Sequence, residues 1–531
     1  WLKLAAERFE HVFVTVSWGR MSEMGDTAVC SDSALEGTPA AHSITISSAI
    51  EEGAVHKHSD RLRSVRLSRL LLYTTLQRWS VWRLGPTGIS DRRRAQLWAL
   101  SEPSQQIDCF LSHAWQSSGS LKYLQLMLDF GLLNALSAMG ALLAALALFA
   151  CLFPLPSLEV YSTYVSSWRG EVNVNIVATT GGPATFLLIL LLSPFLPHAK
   201  RCNPCVFIDV ACICQVDDAL KLAGIHALGH VLQHSTQLHV LWSPVYFSRL
   251  WCVYELAVFM ATHKENQICF RPLFMEAALL AYFLIAWFVA VFFMLWLLYS
   301  PFGKDLRLLL MAYSVAYFPF LALMHVLRSL MRQKHELVQQ LQSFDVRQAS
   351  CCEARDRAFI LESIRQLYGS EETFNDEVQG PICRKVLSEI RDSRMSFVAS
   401  WVCATPPVLC KLVDLTIGFA RAELPHACFV SWCLHVLTLT VFLEAAWARL
   451  LFFLAEKFCR RGRKCFTDVL HTLALYLLWA LPKILTNVFL IRAYKSSLHG
   501  GVAGLLLSVA FCSSTFMCLQ NAVACRTEPS S

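Results

Sequence analysis

Apolar and polar positions fall into two regimes along the 531 residues. In the first, short apolar runs at 107–111, 206–210 and 238–242 are each followed by polar residues and then a helical pattern. That alternation predicts parallel strands of an α/β sheet, whose sites gather at the carboxyl ends of the strands, here near Ser112, His113, Asp209 and Ser243. A further run at 267–270, closed by Arg271-Pro272, reads as one more strand. In the second regime the apolar stretches reach the about 20 residues a bilayer requires. They lie near 131–154, 173–197, 277–299, 308–327, 397–420, 427–448, 470–491 and 500–520, which predicts eight spans. Gly181-Gly-Pro183 interrupts the second of them, as neighbouring helices can tolerate. The strands at 107 and 206 share a sheet only if an even number of spans separates them, so both 131–154 and 173–197 are counted.

Between these landmarks, 216–235 reads as a helix with Asp217 and Asp218 in its first turn, where acids favour the positive helix end. Ser248 is a candidate N-cap for a helix running to about Thr262. A charged stretch with a helical pattern over 355–368, ended near Gly369, predicts a small helical lobe. The expected organisation is a Ser-rich tail (1–53), a basic region (54–104), a first α/β piece (105–128) and a two-span insertion (129–198). A second α/β piece (199–272), two spans (273–328), the helical segment (329–394), four spans (395–522) and a short tail (523–531) follow.

Composition supports the membrane reading. Hydrophobic residues make up 55% and charged residues only 16%, with a mean hydropathy of +0.45; a soluble domain carries about 25% charged residues. The net charge of +7 gathers towards the N-terminal part, where 54–104 holds ten Lys/Arg against three acids. Arg61, Arg63, Arg66 and Arg69 interleave with leucines there, the pattern of a basic helix on an anionic leaflet or of one packing its Leu face on a neighbour. This basic region, the stretch around His198–Arg201, that around Arg328 and the loop at 456–464 fall on one side of an eight-span chain. The positive-inside rule then puts the α/β domain and both termini in the cytoplasm. Membrane lipids are the expected contact and no nucleic acid is expected. Position 1 is Trp, so the native start is expected upstream and no leader is read.

The 21 cysteines scatter through apolar runs, which predicts reduced, buried thiols. Cys202, Cys205, Cys212 and Cys214 have spacings that zinc could use, but two of them straddle the end of a predicted strand, so no metal site is assigned. Cys351-Cys352 is a candidate palmitoylation site. Phosphate-cradling and metalloprotease motifs are absent.

Three runs carry a resemblance. Asp108-Cys-Phe-Leu-Ser112 resembles the opening strand of a Toll/interleukin-1 receptor (TIR) domain, and Ser248-Arg-Leu-Trp-Cys-Val-Tyr-Glu-Leu256 resembles that family's Ser-x-x-Trp-Cys-x-x-Glu-Leu helix start. Ile208-Asp-Val-Ala-Cys-Ile-Cys-Gln215, with Asp217 and Asp218, is similar to the Trp-Ile-Asp-x-x-Cys-Ile-x-Gln-Asp-Asp motif of the TIR-related heterokaryon-incompatibility domains. The resemblance implies an α/β TIR-like parallel-sheet domain, which the apolar stretches make one interrupted by and fused to an α-helical polytopic membrane region of about eight spans. It implies self-association through that domain and signalling, with hydrolysis of NAD to nicotinamide and an ADP-ribose product in the members that are enzymes. NAD enters as a substrate rather than as a resident cofactor. The catalytic acid of those members falls on Glu255. The chain departs from the family in lacking a recognisable assembly loop after the second strand.

The residues themselves frame the chemistry. Trp251 and Glu255 lie four apart on a helix, so an indole can wall a pocket that holds the carboxylate. A carboxylate beside the scissile bond can stabilise an oxocarbenium-like cation or hold a ribose hydroxyl. Ser112 and His113, after the first strand, can meet a ribose or phosphate; capping of backbone groups is the plainer role. Asp209, read as lying in an apolar strand, needs a partner to be buried. Two other function classes stay open: a non-enzymatic TIR-like scaffold, and a channel or transporter. The latter is suggested by Lys411, Asp414, Glu444 and Lys483 inside predicted spans, although interfacial snorkelling and pairing between helices are the preferred account of such charges.

Overall fold

The computed structural model describes residues 62–76, 82, 90–153, 159–165, 168–196, 203–299, 306–388, 397–460 and 465–524. The tail at 1–53, the basic residues 54–61, the stretch around His198–Arg201 and the final residues 525–531 lie outside them. Eight strands occur among the described residues: β1 (Arg63–Arg66), β2 (Glu102–Pro103), β3 (Ile107–His113), β4 (Glu159–Val165), β5 (Trp168–Val174), β6 (Cys205–Phe207), β7 (Ser235–Trp242) and β8 (Ile268–Pro272). Contacts gather the chain into two compact units, one from 62–126, 194–273 and 340–385, the other from 127–193, 274–339 and 386–524.

The first unit is built on a six-stranded mixed sheet of order β2-β1-β6-β3-β7-β8. Strands β6, β3, β7 and β8 run parallel, while β1 pairs antiparallel with both β6 and β2. The apolar runs explain the parallel part: a strand flanked on both edges and covered on both faces is apolar almost throughout. In β3 every residue except Asp108 is buried, and Phe110 stacks on Phe207 of β6 with ring centroids 4.9 Å apart. Asp108 accepts a 2.7 Å hydrogen bond from the Cys205 N–H, fixing the start of β6 against β3.

The described part of the basic region, from Leu62 on, opens as a strand rather than a surface helix. Arg63–Arg66 is a strand, and the helix Leu67–Leu76 follows it, with Leu67, Leu70 and Leu71 fully buried. Pairing on both sides holds this strand: β6 and β2 flank it, Ser64 and Val65 are buried, and Arg63 lies 4.0 Å over the Trp98 ring and bonds Ser101 Oγ at 2.9 Å. The stretch expected as one helix over 216–235 splits into Asp218–His226 and Leu228–Gln233, and Ser235 already belongs to β7. Asp217 is the N-cap of the first piece, accepting from Leu220 N–H at 2.9 Å. The helical lobe forms as Ala354–Tyr368 and Glu371–Glu377, with Gly369 closing the first helix at a positive φ of 82° that suits glycine. Tyr368 donates to the Ala257 carbonyl at 2.7 Å, holding the lobe on the Leu250–Thr262 helix.

Seven helices among the described residues are long and apolar enough to cross a membrane: Gly119–Leu152, Val177–Phe195, Leu273–Leu297, Leu306–Gln342, His426–Lys457, Phe466–Ser496 and Leu498–Thr515. This is the pattern of a multi-pass membrane protein. Two of the seven lie between β3 and β6, the even number a shared sheet demands. The eighth expected span, near 397–420, is the helix Phe397–Arg421, which contains Pro406-Pro407 and carries Lys411 and Asp414; it is not among the seven. The second span starts later than expected, because residues 173–174 complete β5, which with β4 forms an antiparallel hairpin.

Charges in the second unit are largely matched across helices. Asp414 accepts from the N–H groups of Ala178 and Thr179 at 3.0 and 2.7 Å and from the Thr179 hydroxyl at 2.7 Å, capping the Val177–Leu192 helix from a neighbour. Lys483 donates to Glu444 at 2.7 Å. Fully buried Arg328 pairs with Asp468 at 2.9 Å and also donates to the carbonyls of Phe458, Arg460 and Asp468.

Candidate functional site

Glu255 sits in the second turn of the Leu250–Thr262 helix, which follows β7. Ser248 is not its N-cap. Arg249 occupies that position with an extended backbone, while Ser248 Oγ donates to the Val245 carbonyl at 2.8 Å. Ser350 of the lobe supports the helix start, donating its N–H to the Ser248 carbonyl at 2.8 Å and accepting from Leu250 N–H at 3.0 Å.

The helix directs Glu255 at the end of β3. Fully buried Ser112 donates its hydroxyl to Glu255 Oε2 at 2.5 Å. The Tyr246 hydroxyl lies 2.7 Å from Ser112 Oγ and 3.2 Å from the Cys252 carbonyl, so Tyr246 steadies the serine from behind. No cation pairs with the partly buried Glu255 among the described residues. Burial pushes its carboxyl up to about 8, the Ser112 hydrogen bond opposes the rise, and the charge of Asp209 adds to it. At neutral pH Glu255 therefore holds its proton most of the time.

Asp209 lies just beyond the end of β6. It opens the one-turn helix Asp209–Cys212 instead of lying inside a strand. Its partners are the Trp115 indole N–H at 2.8 Å on Oδ2 and the Val210 N–H at 2.7 Å on Oδ1. Burial raises its carboxyl above the usual range, opposed by these hydrogen bonds and by the positive charge of Lys122. Lys122 is completely buried, and its ammonium donates to the carbonyls of Ala114 and Trp82 at 2.8 and 3.2 Å.

His113 and Trp251 face elsewhere. His113 is buried with its Nδ1 3.5 Å from the Leu111 carbonyl and its ring edge-to-face with Trp82, centroids 5.8 Å apart. Burial, and after it the charge of Lys122, hold its imidazole well below the usual range, so it is neutral. Trp251 donates its indole N–H to Asp356 of the lobe at 3.1 Å and packs edge-on against Tyr254. The structure thus gathers Ser112, Glu255 and Asp209 at the strand ends and turns Trp251 to the lobe.

Three contributors escape the sequence patterns. Trp115 stands two residues after the β3 end, and a Trp after an apolar strand is the available signal. Lys122, a single cation in the first turn of a long apolar helix, is another. Tyr246 has no pattern to announce it, because its role depends on the turn that follows β7. Ser243, at the end of β7, is buried and its hydroxyl has no partner among the described residues. Cys212 and Cys214 are buried thiols, Cys202 lies outside the described residues, and no group of three metal-ligating side chains occurs among the described residues.

Chemically, the site offers two carboxyl groups with raised proton affinity, a hydroxyl relay and an indole, on parallel strand ends where ligands of open α/β sheets bind. No protein-family model matches the chain, and neither a curated protein nor a solved structure matches it.

Proposed function

We propose that this is a membrane signalling protein whose α/β unit is a TIR-like domain, facing the cytoplasm, that hydrolyses NAD to nicotinamide and ADP-ribose when copies cluster. The observation that carries the reading is the Ser112–Glu255 hydrogen bond at the end of β3, on the acid to which the family motif points. Cleavage of the nicotinamide–ribose bond leaves positive charge on the ribose, nicotinamide departs with the bonding pair, and water supplies the oxygen at the anomeric carbon and releases one proton. A carboxylate at this point stabilises the oxocarbenium-like state, the logic of glycoside hydrolysis. The pyridinium of NAD is itself a cation, and an opposite charge nearby favours the ionised acid. Substrate therefore draws the proton off a Glu255 that is neutral in the empty site. Ser112, hydrogen-bonded to the same carboxylate, orients it, and Trp115 offers an aromatic face beside Asp209.

A second reading, a non-enzymatic scaffold of the same fold, is supported by Ser112, which satisfies Glu255 as a structural tie between helix and strand and is itself held by Tyr246. The two part on one experiment. Full-length protein is clustered on anionic vesicles and nicotinamide release from NAD is measured for wild type and Glu255→Gln. The expected result is release by wild type and a loss of at least about 100-fold in the variant, the scale of a positioned acid or base. No release from a protein shown to self-associate at that density would overturn the enzyme and leave the scaffold.

A further inference from the structure

The second unit contains a cavity of about 160 Å³ among its apolar helices. Its walls are largely aromatic and aliphatic, with Phe293, Tyr313, Phe419 and Trp432 among them. Three lysines also line it, Lys411, Lys483 and Lys495, against one acid, Glu444. Ionisable groups inside a membrane region are expensive and need partners, so the question is which of the four is matched within the chain.

One of the lysines is paired with an anion and a second with a neutral hydroxyl. Lys483 forms the 2.7 Å ion pair with Glu444 and lies 5.4, 5.6 and 5.9 Å from the ring centroids of Tyr317, Trp479 and Trp447. Lys495 donates to the Thr163 hydroxyl at 3.1 Å. Lys411 differs. Its ammonium stands 5.6 Å over the Phe293 ring and donates to no acceptor among the described residues. Asp414, three residues along the same helix, is committed to the Ala178 and Thr179 donors.

We infer that this cavity is a binding site for a small aromatic carboxylate, with Lys411 as its hydrogen-bonding cation and the ring held by the aromatic wall. The volume sets the size, since a cavity of about 150 Å³ lined by apolar side chains accepts benzene. Lys411, the lysine of the three that donates to no acceptor among the described residues, is the donor that a ligand's carboxylate would meet. The apolar wall excludes a bare inorganic anion, which would trade its hydration for hydrocarbon contacts. The inference is independent of Glu255 and of NAD.

The test uses full-length protein in lipid nanodiscs and radiolabelled benzoate. Expected are saturable binding at one site per chain, at least tenfold weaker in Lys411→Gln and retained in Lys411→Arg, and binding of neutral benzyl alcohol that is equal in wild type and Lys411→Gln. Ala290→Leu fills the cavity from its wall and leaves the Lys411 charge in place. It is expected to weaken benzoate and benzyl alcohol together, and it serves where Lys411→Gln does not fold. Benzoate uptake that never saturates, affinity unchanged in both Lys411→Gln and Ala290→Leu, or displacement by equimolar chloride would overturn the inference.

Discussion

Glu255 and Glu444 are both acids drawn into apolar surroundings, and they are satisfied in opposite ways. Glu444 meets an ammonium at 2.7 Å, itself ringed by three aromatic side chains. Glu255 meets a hydroxyl at 2.5 Å and, among the described residues, no cation. A charge pair fixes both partners in their ionised forms, and removing one strands the other. A carboxyl bound by a hydroxyl keeps its protonation open to whatever enters beside it. One acid holds helices together, the other is left adjustable.

The contrast is tested hardest by Lys483→Met. It leaves Glu444 without its ion-pair partner and is expected to destabilise the protein by roughly 3–5 kcal/mol. This would read as a large drop in Tm in detergent, largely recovered in Lys483→Met/Glu444→Gln. Equal Tm values for single variant and wild type would make the pair dispensable.

Glu255 is expected to show itself through pH instead. Its proton is held more tightly in the folded chain than in the unfolded one, so the stability it carries is full below pH 4.5 and is lost as pH rises through about 8. Glu255→Gln should match wild type near pH 5. By pH 9 it should exceed wild type by about 2–4 kcal/mol, since each tenfold change in proton affinity is worth about 1.4 kcal/mol and partial exposure lowers the total. A stability difference that stays flat between pH 5 and 9 would show an ordinary glutamate. Ser112→Ala removes the donor and leaves the carboxyl to water, with an expected loss of about 1–3 kcal/mol. Trp115→Phe, which deletes one hydrogen bond to Asp209, should cost only about 1 kcal/mol; a larger loss in urea unfolding would mean that the indole does more than donate.

What the sequence makes legible follows from periodicity. The runs at 107, 206 and 238 are apolar because their strands lie inside the sheet. The edge strand at 268 alternates buried and half-buried positions, and the run at 206 passes from strand into a one-turn helix at Asp209. Ser112 stands out because it follows such a run, and Glu255 through the Trp-Cys-x-x-Glu-Leu resemblance and its spacing from Trp251. Arg63–Arg66 and Glu102–Pro103 do not read as strands, since their long basic and acidic side chains bond at the sheet edge and mask the buried Ser64 and Val65. Asp209 reads as part of a strand although β6 ends at Phe207, because a polar group just past a strand looks the same as one inside it. The partners of Trp251 and Glu255 depend on the turn after β7 and on Asp356, about 100 residues away, which no local pattern encodes.

The order of the sheet has a consequence for how the chain is made. The central strand β3 is flanked by β6 and β7, and β6 is synthesised about ninety residues later, after two spans. At ribosomal rates of about 5–20 residues per second, β3 leaves the tunnel roughly 5–20 s before its first parallel neighbour exists. Through that interval both edges of an apolar strand wait unpaired, at the moment when nearby helices are being threaded into a bilayer. Biogenesis of this protein is thus a timing problem, in which a chaperone or the translocation machinery must shield one strand until the membrane has taken up the segment beside it.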